Sequence, residues 1–134
     1  IHCGLVGSEM CIRDSPTQSY LQQNGYYVKV GRIVTIAVDV IFAGSGISGG
    51  TGEAVLSNLP FAKQNSSNHY GCTMAVGYSP NWGSGSCPTG GYINANATFA
   101  YLMPYNSNGI TFSQASQVTS STRLIVGITY MTNS

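Results

Sequence analysis

The sequence predicts an all-β fold: an antiparallel β-sandwich, jelly-roll-like, with about seven to eight strands. Short segments in which apolar and polar residues alternate are separated by glycine-rich loops. The 17 glycines and nine tyrosines fit this pattern, because aromatic residues favour strands and glycine favours turns. No stretch repeats apolar residues with the helical period over the length of an ordinary helix. A chain of 134 residues is long enough to bury a real core.

The strongest strand signal runs from Arg32 to Ala43. Alternate residues there are apolar and share one face: Val34, Ile36, Val38, Val40 and Phe42. The opposite face is mixed and includes Asp39. Just before it, Tyr26–Val30 also alternates, and Gly31 predicts a bulge or tight turn between the two segments. The sequence therefore predicts a central strand with one fully apolar side, on which shorter strands pack.

The remaining chain alternates between shorter strand signals and loops. Asn24-Gly25 predicts a turn, and Gly44–Gly52 and Ser79–Gly91 predict long loops. Small residues occupy one face of Tyr70–Tyr78, so we expect that face to contact a second sheet or a neighbouring subunit. Further strands are predicted at Glu53–Ser57, Tyr92–Met103, Ile110–Phe112 and Thr122–Tyr130.

The composition argues against several classes of partner. Charged residues make up 7% of the chain and the net charge is +1, whereas nucleic-acid binding normally requires a basic patch. No apolar run approaches the length of a membrane span, so we expect neither a nucleic-acid partner nor membrane insertion. Serine, threonine, asparagine and glycine supply the polar surface, which suits an extracellular or virion protein.

Residues 1–15 differ from the rest of the chain. They contain Cys3 and Cys11, two of the four cysteines, and show neither strand alternation nor a helical repeat. The run Gly7–Ser15 resembles translated sequencing-adapter read-through, so we expect a non-native, disordered N-terminal segment. Residues 16–134 are then a single β-sandwich domain that lacks its native first strand. The alternative is a native tail in which the two cysteines bind a metal or form a disulfide.

Three motifs give the chain a resemblance to a known family. They are the segment Gly25–Val34 (GYYVKVGRIV), the corner Leu59-Pro60-Phe61 and the strand Gly127–Tyr130. Together they resemble the distal domains of bacteriophage tail fibres and related virion proteins, over about Gln23 to Tyr130. Val28 stands where threonine is usual, and Asn58 where glycine is usual; neither bears on a site.

The resemblance implies a sandwich similar to the jelly-roll heads of complement and tumour-necrosis-factor proteins. It implies a homotrimer around a three-fold axis, located in the virion after assembly in the bacterial cytoplasm, with other virion proteins as partners. It also implies a role in attachment to a host-cell surface glycan or protein, or in virion structure. We expect no enzymatic activity and no cofactor. Exposed aromatic residues such as Tyr27 would serve the interface between subunits.

Catalytic chemistry has few candidate residues. Outside the N-terminal segment the carboxylates are Asp39 and Glu53 and the histidine is His69. A triad of His69, Asp39 and a serine lacks a nucleophile-elbow motif, and His69 is more simply a loop residue. Asp39 and Glu53 could come within the range that glycosidases need if a hairpin joins them. We expect Asp39 instead to face solvent or a subunit contact.

The loop around the single tryptophan is the predicted receptor-binding or glycan-binding site. An exposed aromatic ring can stack on a sugar, while amide and hydroxyl groups bond its hydroxyls. The alternative is that Trp82 folds back over the end of the sandwich or packs in a trimer contact. The predicted site residues are Tyr78, Asn81, Trp82, Thr89 and Tyr92.

The cysteines of the domain give no metal site. Cys72 and Cys87 lie too far apart in sequence for a zinc knuckle and have no second pair. They bracket the loop of residues 79–91 and could form a disulfide. In a bacterial cytosol, however, free thiols are the default.

Three functions remain open from the sequence. The first is a non-enzymatic, distal tail-fibre-like domain for host attachment. The second is a capsid or tail decoration protein that makes subunit contacts alone. The third is a carbohydrate-binding or carbohydrate-active β-sandwich. An attachment domain should expose aromatic and amide side chains, whereas an enzyme should place Asp39 or His69 in a cleft with a partner.

Overall fold

A long β-hairpin forms the frame of the computed structural model, which describes residues 2–5, 17–48, 52–65, 72–83, 87–106 and 109–134. Gly31 makes the hairpin turn with a φ of 57°, a left-handed conformation that glycine adopts without steric cost. The described residues form ten strands and one 3₁₀ turn at Ala115–Gln117. The strands are β1 (His2–Leu5), β2 (Thr17–Val30), β3 (Ile33–Ser48), β4 (Val55–Leu56), β5 (Cys72–Tyr78), β6 (Gly90–Tyr92), β7 (Ala100–Met103), β8 (Tyr105–Asn106), β9 (Gly109–Ile110) and β10 (Arg123–Met131).

Two antiparallel sheets hold eight of these strands, which confirms the predicted β-sandwich. The large sheet has the order β1-β2-β3-β10-β5 and the small sheet the order β4-β7-β6. Strands β8 and β9 pair separately as a hairpin. The alternate apolar residues of β3, from Val34 to Phe42, are at most 3% exposed and pack against Ala54, Leu56, Ala100 and Leu102 of the small-sheet side. The core therefore lies between the sheets, on the face that the alternation predicted.

Two predicted loop signals lie inside strands. Asn24 and Gly25 continue β2, because they pair with Asp39 and Val38 of the long β3. The predicted loop Gly44–Gly52 begins later than expected, since β3 continues to Ser48. Gly44 has a φ of 60°, and the pairing of β2 with β3 shifts its register near Tyr20. A long partner strand thus overrides local turn signals, and the glycine bends the strand without ending it.

The predicted strand Tyr92–Met103 is wrong in its middle part. Residues 93–99 connect β6 to β7, and the two strands pair antiparallel with Tyr92 opposite Tyr101. Asn96 turns the chain with a φ of 58°, a conformation that asparagine tolerates better than most residues. This turn changes which side chains share a face: Tyr92 and Tyr101 lie together on the outer face of the small sheet.

The N-terminal segment departs from the expected disorder at His2–Leu5. This strand pairs antiparallel with Tyr26–Lys29 at the outer edge of β2, where an edge strand offers unpaired backbone groups. Residues 6–16, which include Cys11, lie outside the described residues. The non-native origin of residues 1–15 stays a prediction, as does the division at residue 16.

Candidate functional site

The outer face of the large sheet carries an apolar ridge. We use "the ridge" for Tyr26, Val28, Val30 and Ile33, which are 64%, 44%, 56% and 50% exposed. They share this face because β2 alternates and pairs with β3 in the register that sets Val30 opposite Ile33. Tyr27 points the other way and packs edge-on against Phe61, with ring centroids 5.6 Å apart. Tyr26, not Tyr27, is therefore the aromatic residue that β2 exposes on this face.

Beside the ridge the same face is concave. The row that starts at Tyr26 continues through small residues: Ala37 on β3, Gly127 on β10 and Ala75 on β5. We use "the trough" for the depression of about 420 Å³ above Ala37, Ala75, Gly77 and Gly127, which Ile125 also lines. The small residues that the sequence placed on one face of β5 thus form part of an exposed floor. Ala75 and Gly77 are exposed there.

An ion pair closes one end of the trough. The Arg123 guanidinium donates through Nε and Nη2 to the two Asp39 carboxylate oxygens at 2.9 and 2.7 Å. Gln22 Nε2 donates to the same carboxylate at 2.7 Å. Chiefly because of the Arg123 hydrogen bond, the pKa of Asp39 is lowered and the carboxylate stays ionised. The pair neutralises both charges, so the trough presents apolar surface with no net charge.

Tyr78 also reaches this face, through a β-bulge. The register of β10 with β5 shifts between Ile125 and Val126, which places Tyr78 opposite Ile125. Such a bulge re-aims a side chain, and Tyr78 is 55% exposed on the side of Arg123. Of the five predicted site residues, this one stands opposite Ile125, which lines the trough.

Asn81 and Trp82 instead close one end of the sandwich. Asn81 has a φ of 64°; its side-chain amide donates to the Ser121 carbonyl at 3.1 Å, and its own carbonyl accepts from Thr119 and Thr122. Trp82 forms an isolated bridge with Val118 and packs against the core. The tryptophan thus takes the fold-back position that the sequence left as the alternative to an exposed site.

Thr89 directly precedes β6 of the small sheet, and Tyr92 ends that strand. Thr89 Oγ1 donates to the Met103 carbonyl at 3.4 Å. Tyr92 joins an aromatic cluster, a term we use for Tyr92, Phe99, Tyr101 and Phe112. The Tyr101 ring lies at the centre of the cluster. Its centroid is 5.3 Å from that of Phe99, 5.2 Å from that of Tyr92 and 5.0 Å from that of Phe112. Tyr101 is buried, and the other three are half-buried, so the cluster keeps an accessible aromatic surface.

The aromatic cluster lies on the outer face of the small sheet, opposite the ridge. Ala100 and Leu102 point into the core, so the intervening Tyr101 points outward. Burial raises the pKa of Tyr92, and Tyr101 and Glu53 raise it further. Sequence reasoning missed Phe99, Tyr101 and Phe112 as partners of Tyr92, because one continuous strand would set Tyr92 and Tyr101 on opposite faces.

The two candidate carboxylates lie on opposite outer faces of the sandwich. Asp39 is on the outer face of the large sheet, and Glu53 is close to Tyr92 on that of the small sheet. Packed sheets are about 10 Å apart and these side chains point away from each other, which does not suit a glycosidase pair. Asp39 does lie in a groove with a partner, but that partner is a charge-neutralising arginine. His69 lies outside the described residues.

The possible disulfide between Cys72 and Cys87 is not formed, and both thiols are free. Cys72 begins β5, whereas Cys87 Sγ donates to the Ser79 carbonyl just beyond the other end of that strand, at 3.2 Å. A strand of this length separates its ends by about 20 Å, too far for a disulfide. Burial raises the pKa of the Cys72 thiol. Among the described residues no group of three or more His, Cys, Asp or Glu side chains could hold a metal ion.

In the part of the chain that the structure describes, no helix is long and apolar enough to cross a membrane. No protein-family model and no curated protein sequence matches the chain.

A solved structure shares the fold. The crystal structure of the Dettilon tailspike protein (gp208) matches this chain with a TM-score of 0.78 and 16% sequence identity. The match covers 97% of this chain and 23% of the tailspike chain, so the chain spans about a quarter of that protein's length. At this identity the likeness establishes that both chains share one β-sandwich fold.

Proposed function

We propose that this chain is a β-sandwich domain of a bacteriophage tail appendage that assembles as a homotrimer and attaches the virion to a host-cell surface. The observation that carries the proposal is the ridge, an apolar strip exposed along one side of the large sheet. Exposed apolar patches of this kind often mark sites of contact with other proteins. The likeness to a tailspike over nearly the whole chain supports a role in a phage tail.

The aromatic cluster is the proposed attachment surface. If the copies meet through the outer face of the large sheet, the small sheet points away from the axis and stays accessible. Half-buried aromatic rings with the carboxylate of Glu53 near Tyr92 suit a saccharide, because rings stack on sugars and oxygens bond their hydroxyls. This moves the proposed site from Trp82 to Tyr92.

The proposal includes no enzymatic step. A carboxylate that an arginine holds ionised is a poor proton donor, which argues against Asp39 as a general acid. Glu53 has no second carboxylate near it among the described residues, since Asp39 lies on the other sheet. A decoration protein remains the competing function, and it would bury the aromatic cluster in its neighbours.

The mass in solution tests the proposed assembly. We expect light scattering after size exclusion to give three times the chain mass of 14.1 kDa. Val30→Lys should reduce the mass to that of one chain, because it places an unpaired charge in an apolar contact. Ser116→Lys, an exposed change in the 3₁₀ turn, is the matched control and should keep the trimer. A well-folded wild-type monomer would contradict the proposal.

A glycan array of bacterial surface polysaccharides tests the proposed attachment surface. We expect Tyr92→Ala to weaken glycan binding about tenfold, the loss of roughly one stacking contact. Tyr105→Ala, which removes an 88% exposed ring from the separate hairpin, should bind like the wild type. Absence of binding to every glycan, with the trimer intact, would count against attachment through a glycan and favour the decoration function.

A further inference from the structure

We infer that the ridge of one copy packs into the trough of the next, so that the contact between subunits is head-to-tail around a closed ring. The inference rests on the homotrimer of the proposed function and specifies how it is built. Both surfaces lie on the same sheet face: the ridge mainly on β2, and the trough over β3, β10 and β5, with Tyr26 of the ridge and Asn24 as its wall on β2.

The shapes of the two surfaces are complementary. One row across the sheet begins with the protruding Tyr26 and then continues through Ala37, Gly127 and Ala75. Side chains that project from β2 therefore stand beside a floor that has almost none. The trough volume of about 420 Å³ has room for several apolar side chains, as in ligand pockets of comparable size.

Neither of the two surfaces carries a net charge. The ridge contains no ionisable group other than the Tyr26 phenol, and Lys29 points to the opposite face, where its Nζ lies 5.4 Å from the Phe61 ring centroid. In the trough, Arg123 and Asp39 neutralise each other. An apolar ridge can therefore enter without leaving an unpaired charge buried, which would be costly.

Three copies can meet in this way only as a ring, in which each ridge enters the trough of one neighbour. A two-fold contact would instead join two copies alone, with the ridge of each in the trough of the other. The ridge lies toward the β2 side of the face and the trough toward β5, the last strand of the sheet. Copies arranged around an axis can each place the β2 side against the β5 side of the next.

The test uses opposite charges in ridge and trough, in the full chain. Val28→Glu changes the ridge and Ala75→Lys the trough; both positions are exposed, so each variant should keep the wild-type circular dichroism spectrum. Each single variant should weaken association by about a hundredfold or more and appear as a single chain by light scattering. The double variant should regain the trimer, because every ridge-to-trough contact then pairs glutamate with lysine.

The outcomes separate the inference from the proposed function. A double variant that stays monomeric, while the wild type is a trimer, overturns the ridge-to-trough contact but leaves the proposed trimer intact. Trimers in both single variants would overturn the contact in the same way. A monomeric wild type overturns both. Thr98→Glu, an exposed change in the connection between β6 and β7, is the matched control and should leave the wild-type mass unchanged.

Discussion

Gly91→Ala is expected to lower the free energy of unfolding by about 3 kcal/mol, at the upper end of the range for overpacked cores. A Cβ at Gly91 would overlap the backbone carbonyl oxygen of Tyr101 and lie 2.7 Å from Met74 Sδ. The carbonyl belongs to the neighbouring strand of the small sheet and cannot move without loosening that strand. Chemical denaturation should therefore show a lower midpoint with little change in slope.

Gly90→Ala is the matched control, one residue earlier in the same strand. There the nearest atom to an added Cβ is the Met74 backbone oxygen at 3.9 Å, an ordinary van der Waals contact. We expect its unfolding midpoint to stay close to the wild-type value. Because Gly91 precedes Tyr92, the first variant should also weaken glycan binding by displacing the aromatic cluster. Equal stability of the two variants would contradict the close approach of β6 to β7 and β5.

The faces of the longest strands could be predicted because strand alternation is a local property. The buried residues of β3, from Val34 to Phe42, and those of β10, from Leu124 to Tyr130, follow directly from period two. Gly31 interrupts the alternation, as its conformational freedom predicts, and makes the hairpin turn. The small residues of β5 predict a face that meets another surface; in this chain they are exposed, and such a contact stays a prediction.

The partners of these residues could not be predicted, because pairing joins positions far apart in the chain. Asp39 and Arg123 are separated by 84 residues, and nothing in the local sequence of Arg123 indicates an ion pair. Tyr92 and Tyr101 share one face because the chain turns at Asn96. The glycine-rich surroundings of Trp82 allow its side chain to be exposed or folded back. The bridge between Trp82 and Val118, residues far apart in the chain, holds it in the folded-back position.

The two short motifs behind the resemblance are themselves in contact. The Tyr130 hydroxyl, from the Gly127–Tyr130 motif, donates to the Phe61 carbonyl at 2.8 Å and accepts from the Phe61 N–H at 3.3 Å. Phe61 ends the Leu59-Pro60-Phe61 corner, 69 residues earlier. One buried phenol therefore ties the corner to the last strand of the large sheet. The two motifs depend on each other, because the Tyr130 hydroxyl supplies a hydrogen-bond partner for both backbone groups of Phe61.

This contact predicts a loss of stability at alkaline pH. Burial is the main reason that the pKa of Tyr130 rises from 10.0 to about 12, and the side chain is 1% exposed. The folded chain therefore holds the phenol proton more tightly than the unfolded chain does. Stability is fully present below about pH 10 and falls as the pH rises toward 12, by about 2–3 kcal/mol in total.

Denaturant unfolding at a series of pH values checks this expectation. Tyr130→Phe should be less stable than the wild type at pH 7 by about 1–3 kcal/mol, because the Phe61 N–H and carbonyl lose a buried partner. The same variant should lose less stability than the wild type between pH 10 and 12, since the buried phenol is gone. Tyr105→Phe, at an exposed ring, should keep the wild-type profile. An equally steep alkaline decline in Tyr130→Phe would show that other groups control it, and that the corner contact does not govern stability at high pH.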